Sequence, residues 1–136
     1  LINMYNNAPI NQFFNPKIEI SIGKAIIKIE ISKNFHHSAN ALHGSVYFKM
    51  LDDAAYFAAS SYVDDVFMVT TSFTTYFTRP ISEGLIYSKG KVVNRTKSQI
   101  ISESVLFDAK NEEIARGSGI FRKSKIALEK TMGFNS

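Results

Sequence analysis

Two short stretches hold the residues best suited to chemistry. His43-Gly44-Ser45 sets an imidazole, a bare backbone position and a hydroxyl in a row, and the carboxylate pair Asp52-Asp53 begins nine residues after the histidine. A helix starting at Gly44 would present unpaired amide N–H groups at the positive end of its dipole, and glycine lets a ligand approach that backbone closely. The carboxylates could do acid–base or nucleophilic work. They could equally form surface ion pairs with Lys49, three and four residues earlier. The second stretch, Thr70-Thr71-Ser72, adds three hydroxyls, and Arg79 follows just before Pro80. Arg79 leads a set of cations, Lys89, Lys91, Arg95, Lys97, Arg122 and Lys123, that could meet phosphates or simply solvate a sheet face. His36 and His37 have no acidic partner at a metal-binding spacing, so no metal site is expected.

These residues need elements to position them. From Lys17 to Lys33 the chain reads KIEISIGKAIIKIEISK, where Ile18, Ile20 and Ile22, then Ile27, Ile29 and Ile31, alternate with polar neighbours around Gly23-Lys24. Period-two alternation about a turn signal predicts a hairpin. Residues 34–42 are polar and irregular and read as a loop. Residues 44–61 are rich in alanine and carry Met50 and Leu51, which predicts a helix. On its wheel Ser45, Lys49, Asp52, Asp53, Tyr56 and Ser60 share a narrow polar stripe, while Val46, Phe48, Met50, Leu51 and the alanines cover the rest. A helix that apolar must be buried on several sides. Strands are predicted over 68–78, 84–94, 98–107 and 114–122, separated by turn residues. Four consecutive strands with short turns predict an antiparallel meander, curved round the single helix. Residues 5–14 read as a short helix or a loop, and 124–136 as a short helix or a frayed tail.

Bulk properties narrow the class. With 136 residues and no repeat or linker, a single domain spanning 1–136 is expected, residues 1–16 being a lead-in. The absence of cysteine excludes disulfides, a thiolate nucleophile and a thiolate metal site. A net charge of +4 without a basic helix or basic-aromatic repeat argues against nucleic acid, though it suits a phosphate-bearing ligand. No apolar run is long enough to span a membrane, and the first residues lack the form of a secretory signal, so a cytoplasmic location is expected.

His43-Gly44-Ser45 followed by Met50-Leu51-Asp52-Asp53-Ala54-Ala55 resembles the HGG…L-x-D-x-A signature of PaaI-like thioesterases, with the Asp at the family's distance from the His. Thr70 to Pro80, TTSFTTYFTRP, resembles the family strand that ends F-L-R-P. The resemblance covers roughly residues 17–123. It departs at Ser45, where the family has a second glycine, and at His37, where it often has Asn; Asn40 stands nearby.

The resemblance implies an α+β hot-dog fold, an antiparallel curved sheet wrapped around one long central helix. It implies hydrolysis of an acyl-CoA thioester to free acid and coenzyme A, by a homodimer or homotetramer with its site shared between two chains and no cofactor. Asp52 would activate water or attack the carbonyl, the amide of Gly44 or Ser45 would bind the carbonyl oxygen, and His43 would orient the loop or add a donor. Thr70, or neighbouring Thr71 or Ser72, would place the water, with His37, Asn40 and Arg79 as substrate contacts. The alternative readings are a non-catalytic acyl-CoA-binding module and a dehydratase using His43 or His37. Within the bland alternative, His43 caps the helix and Thr70 is an ordinary strand residue.

Overall fold

The computed structural model describes residues 1–131. Two short helices, α1 (Ile2–Asn7) and α2 (Pro9–Phe14), lead into the hairpin β1 (Lys17–Ser21) and β2 (Lys24–Glu30). The long helix α3 (Gly44–Ser60) follows, and then strands β3 (Val66–Phe77), β4 (Leu85–Arg95), β5 (Gln99–Phe107) and β6 (Glu113–Ala127). The strands form one antiparallel sheet in the order β1-β2-β4-β5-β6-β3. The sheet curves round α3, which touches β1 through β6. This is the hot-dog arrangement.

The sequence pattern explains most of it. In β2, Ala25, Ile27 and Ile29 are buried against the helix while Lys24, Lys28 and Glu30 face out. In β5 the alternation is equally regular, with Ile100, Ser102, Ser104 and Leu106 inward. Leu51, Ala54, Ala55, Ala58 and Ala59 of α3 have no exposed surface.

Small residues let α3 lie close to the sheet. A Cβ at Gly90 would stand 2.2 Å from the Ala54 carbonyl oxygen, so only glycine fits. On either side, the buried hydroxyl of Ser88 donates to the Met50 carbonyl at 2.7 Å and that of Ser104 donates to the Leu51 carbonyl at 2.8 Å. These bonds fix the rotation of α3 one and two residues before Asp52. At the other end, the Gly23 N–H in the hairpin turn donates to Ser61 Oγ at 2.7 Å.

Four expectations are corrected. The strands after the helix are not a four-strand meander: β4, β5 and β6 are, but β3 leaves the helix for the far edge and pairs with β6. A second edge carrying half-polar β3 lets the sheet close round the helix, which nearest-neighbour pairing would not. Ile22 does not continue the alternation but sits in the hairpin turn, 69% exposed. Phe48 is 40% exposed, with its ring edge-on to Phe73, because it faces the open side next to β3. Residues 124–127 extend β6, and Leu128–Lys130 form a 3₁₀ turn; the end of the expected tail, 132–136, lies outside the described residues.

Candidate active site

α3 begins where the side chain of His43 caps it. His43 is extended (φ −66°, ψ 141°), and its Nδ1 accepts the Ser45 N–H at 3.0 Å. The Ser45 hydroxyl lies 2.8 Å from the same nitrogen. The Ser45 amide is thereby occupied. The Gly44 N–H has no acceptor among the described residues, so of the two expected carbonyl donors it is Gly44 that is free. Its surroundings form a cavity of about 330 Å³ that also touches His37, Tyr47, Phe77 and Arg79.

Asp52 lies two turns further along. The Thr70 hydroxyl donates to its Oδ1 at 3.0 Å, joining the helix to β3. Thr70 stands two residues after buried Met68, on the same side of β3, and a bulge follows it between Thr70 and Ser72. The displaced residue, Thr71, turns its hydroxyl to the Ile120 carbonyl at 3.1 Å and so stands apart from Asp52. Burial pushes the Asp52 carboxyl up to about 6; the Thr70 bond opposes this, the charge of Asp53 adds to it, and Lys49 opposes it. A carboxylate so poised is mostly ionised at neutral pH yet a better base than an exposed one.

Asp53, one residue on, is tied up structurally. It pairs with Lys49 and accepts the Tyr5 hydroxyl at 2.8 Å. Burial and the Asp53 charge hold the Tyr5 hydroxyl in its protonated, donating form. Tyr56 likewise donates to the Met68 carbonyl at 2.7 Å. A cavity of about 360 Å³ opens against Asp52, Thr70, Tyr56 and Phe67.

The expected residues thus fall into groups. Asp52 and Thr70 meet. Gly44, His37 and Arg79 share the other cavity, while His43 and Ser45 face a third, beside Phe35. Arg79 is exposed and paired with Glu112. Asn40 adopts a left-handed conformation (φ 63°) in a tight turn where its N–H bonds the His37 carbonyl at 3.0 Å, and the Ala39 N–H donates to His37 Nδ1 at 3.0 Å. No cluster of three or more metal-ligating side chains occurs among the described residues. The residues that sequence reasoning missed are those of the lead-in: Tyr5 reaches Asp53, and Met4, Ala8 and Ile10 line the cavity at Asp52. The aromatic and apolar positions flanking Pro9 were the available signal.

No curated protein sequence matches the chain. Solved structures do. The E. coli PaaI protein from the phenylacetic acid degradation operon is 17% identical, with 91% of this chain and 90% of that one covered at a TM-score of 0.83. S. sahachiroi AziG is 21% identical over 86% of this chain and 97% of that one, TM-score 0.81. A mutant of the phenylacetic acid degradation protein PaaI from Thermus thermophilus is 15% identical over 86% and 100%, TM-score 0.78. At these identities the likeness shows the fold. The sequence profile of the thioesterase superfamily matches residues 39–115, more than half of the chain, from the loop before Gly44 to the start of β6, and so the chain belongs to the thioesterase superfamily.

Proposed function

We propose that the protein hydrolyses an acyl-CoA thioester to free acid and coenzyme A, with Asp52 as general base or nucleophile. The observation that carries this reading is the Asp52 carboxyl: desolvated, raised to about 6, held by Thr70 and facing a cavity. As a base it takes a proton from water, whose oxygen bonds to the thioester carbon. The tetrahedral oxyanion is held by an amide N–H, the C–S bond breaks, and the departing thiolate takes the proton back from Asp52. As a nucleophile, Asp52 displaces the thiolate directly and water then cleaves the resulting anhydride.

Helix geometry supports an amide from a second copy. Gly44 and Asp52 are eight residues apart on one straight helix, about 12 Å along its axis at the usual rise. One carbonyl group cannot lie within about 3 Å of both. Asp52 of one chain therefore works with Gly44 of a second copy. The unpaired outer edge of β3 and its exposed Val69, Tyr76 and Phe77, with Phe48 beside them, suit such a partner. Coenzyme A phosphates would then compete with Glu112 for Arg79, with His37 nearby.

The test is complementation. Asp52→Ala removes the carboxylate. Gly44→Pro removes the amide N–H at the first helical position, which accepts proline, after a His43 whose ψ of 141° already suits a following proline. Each variant alone should lose about a hundredfold or more of thiol release from acyl-CoAs. Mixed by refolding together, half of the dimers are hybrids with one working site of two, so about a quarter of wild-type activity returns. No rescue, with both variants folded and inactive, would refute the shared site; full activity in Asp52→Ala would reject Asp52 itself.

A further inference from the structure

The cavity beside Asp52 is not enclosed by the family-like part of the chain alone. Met4, Tyr5, Ala8, Ile10 and Asn11 of the lead-in form one side of it, and all precede the residues matched to the superfamily. Phe57, Phe67, Val69 and the Asp52–Thr70 pair complete the lining.

The lead-in is held firmly. Met4 and Tyr5 are buried, and the Tyr5 ring packs edge-on against Phe57 at 4.9 Å. The Tyr5 hydroxyl is anchored on Asp53, and the Lys49 ammonium lies 5.2 Å from the Tyr5 ring centre and 5.3 Å from that of Phe14. Asn11, 4% exposed, clamps α2 to α1 by donating to the Tyr5 carbonyl at 2.7 Å. A wall fastened by a hydrogen bond, a cation–π cluster and buried aromatics has a fixed position. It therefore limits what can fit beneath it.

We propose that α1 and α2 are a wall of the acyl subsite, and that Ala8 and Ile10 on it set the longest apolar acyl group that fits beside Asp52. This rests on the hydrolase reading above. Away from Lys49, Asp52, Asp53 and Thr70 the lining is mostly apolar, and its one buried polar side-chain atom without a partner among the described residues is the Oδ1 of Asn11, so the acyl group it takes is chiefly a hydrocarbon chain or ring. Each methylene group buried there tightens binding by up to about fourfold, until the cavity is full.

The experiment measures kcat/KM for straight-chain acyl-CoAs from acetyl to tetradecanoyl, and Kd for the same series by calorimetry on Asp52→Asn. Ile10 lines the cavity and is 56% exposed, so Ile10→Trp adds bulk there without opening the core. Ile10→Trp and Ala8→Leu should lower the decanoyl-to-butyryl ratio of kcat/KM at least tenfold, and the plateau in Kd should move to shorter chains. Gln12→Trp, on the exposed face of α2, should leave both alone. Unchanged ratios and an unchanged plateau in Ile10→Trp and Ala8→Leu would overturn the wall. If wild type releases thiol from no acyl-CoA, the hydrolase reading fails by itself, and the Kd series still decides whether this wall limits the chain.

Discussion

Asp52→Asn should make the protein more stable while making it inactive. The folded chain raises this carboxyl from 3.8 to about 6, chiefly by burial. A shift of about two pH units corresponds to about 3 kcal/mol against the ionised form. Partial exposure trims this through solvent screening, leaving about 1–3 kcal/mol. Asparagine keeps the volume, and its carbonyl oxygen can still accept the Thr70 hydroxyl. Below pH 3.8 the carboxyl is protonated in both folded and unfolded chains, and it costs nothing. Between 3.8 and about 6 the unfolded chain ionises first, so wild-type stability falls as pH rises; above about 6 the deficit is constant. The assay is urea unfolding of wild type and variant at pH 7.5 and near pH 4, at one protomer concentration. The variant should be ahead by about 1–3 kcal/mol at pH 7.5, or several degrees in Tm, and the gap should close toward pH 4. A wild type more stable than Asp52→Asn at pH 7.5 would show that the fold stabilises the charge, and the argument for a desolvated base would fall.

The same carboxyl should leave an acid limb near pH 6 in kcat/KM, falling about tenfold per unit below it. Thr70→Val removes the bond that holds the value down, so its limb should move to higher pH; a limb that stays put would deny the bond a role. Gly90→Ala would force a Cβ into the Ala54 carbonyl, and it should cost at least about 3 kcal/mol in urea or prevent folding. Ser104→Ala strips one bond from the Leu51 carbonyl and should cost only about 1 kcal/mol, measured the same way.

The sequence was explicit wherever local pattern and tertiary position coincide. Isoleucine alternation in β2 and the polar stripe of α3 both reflect which side of an element meets the core, and both could be read directly, except that Ser60, expected on the stripe, is buried near the end of the helix. The position of Asp52 followed from that stripe. The pairing of β3 with β6 could not be read, because nothing in the alternation of a strand names its neighbour. The division of labour between the Gly44 and Ser45 amides was equally hidden: both belong to the first turn, and only the place of the His43 ring decides which is free. The lead-in escaped notice because two six-residue helices, the second beginning at Pro9, carry too few turns to show a period.

The partnership of β3 with β6 has a temporal consequence. Thr70 leaves the ribosome well before Phe121, the residue opposite it, exists. Until the last strand emerges, the nascent chain can form its first hairpin and α3 by short-range contacts but has nothing to hold β3 against the sheet. Thr70 and Asp52 are only 18 residues apart, but the strand that holds Thr70 in the sheet reaches it across a loop of about fifty residues. A polypeptide stalled or clipped before residue 113 would therefore keep much of its secondary structure and never acquire a working centre.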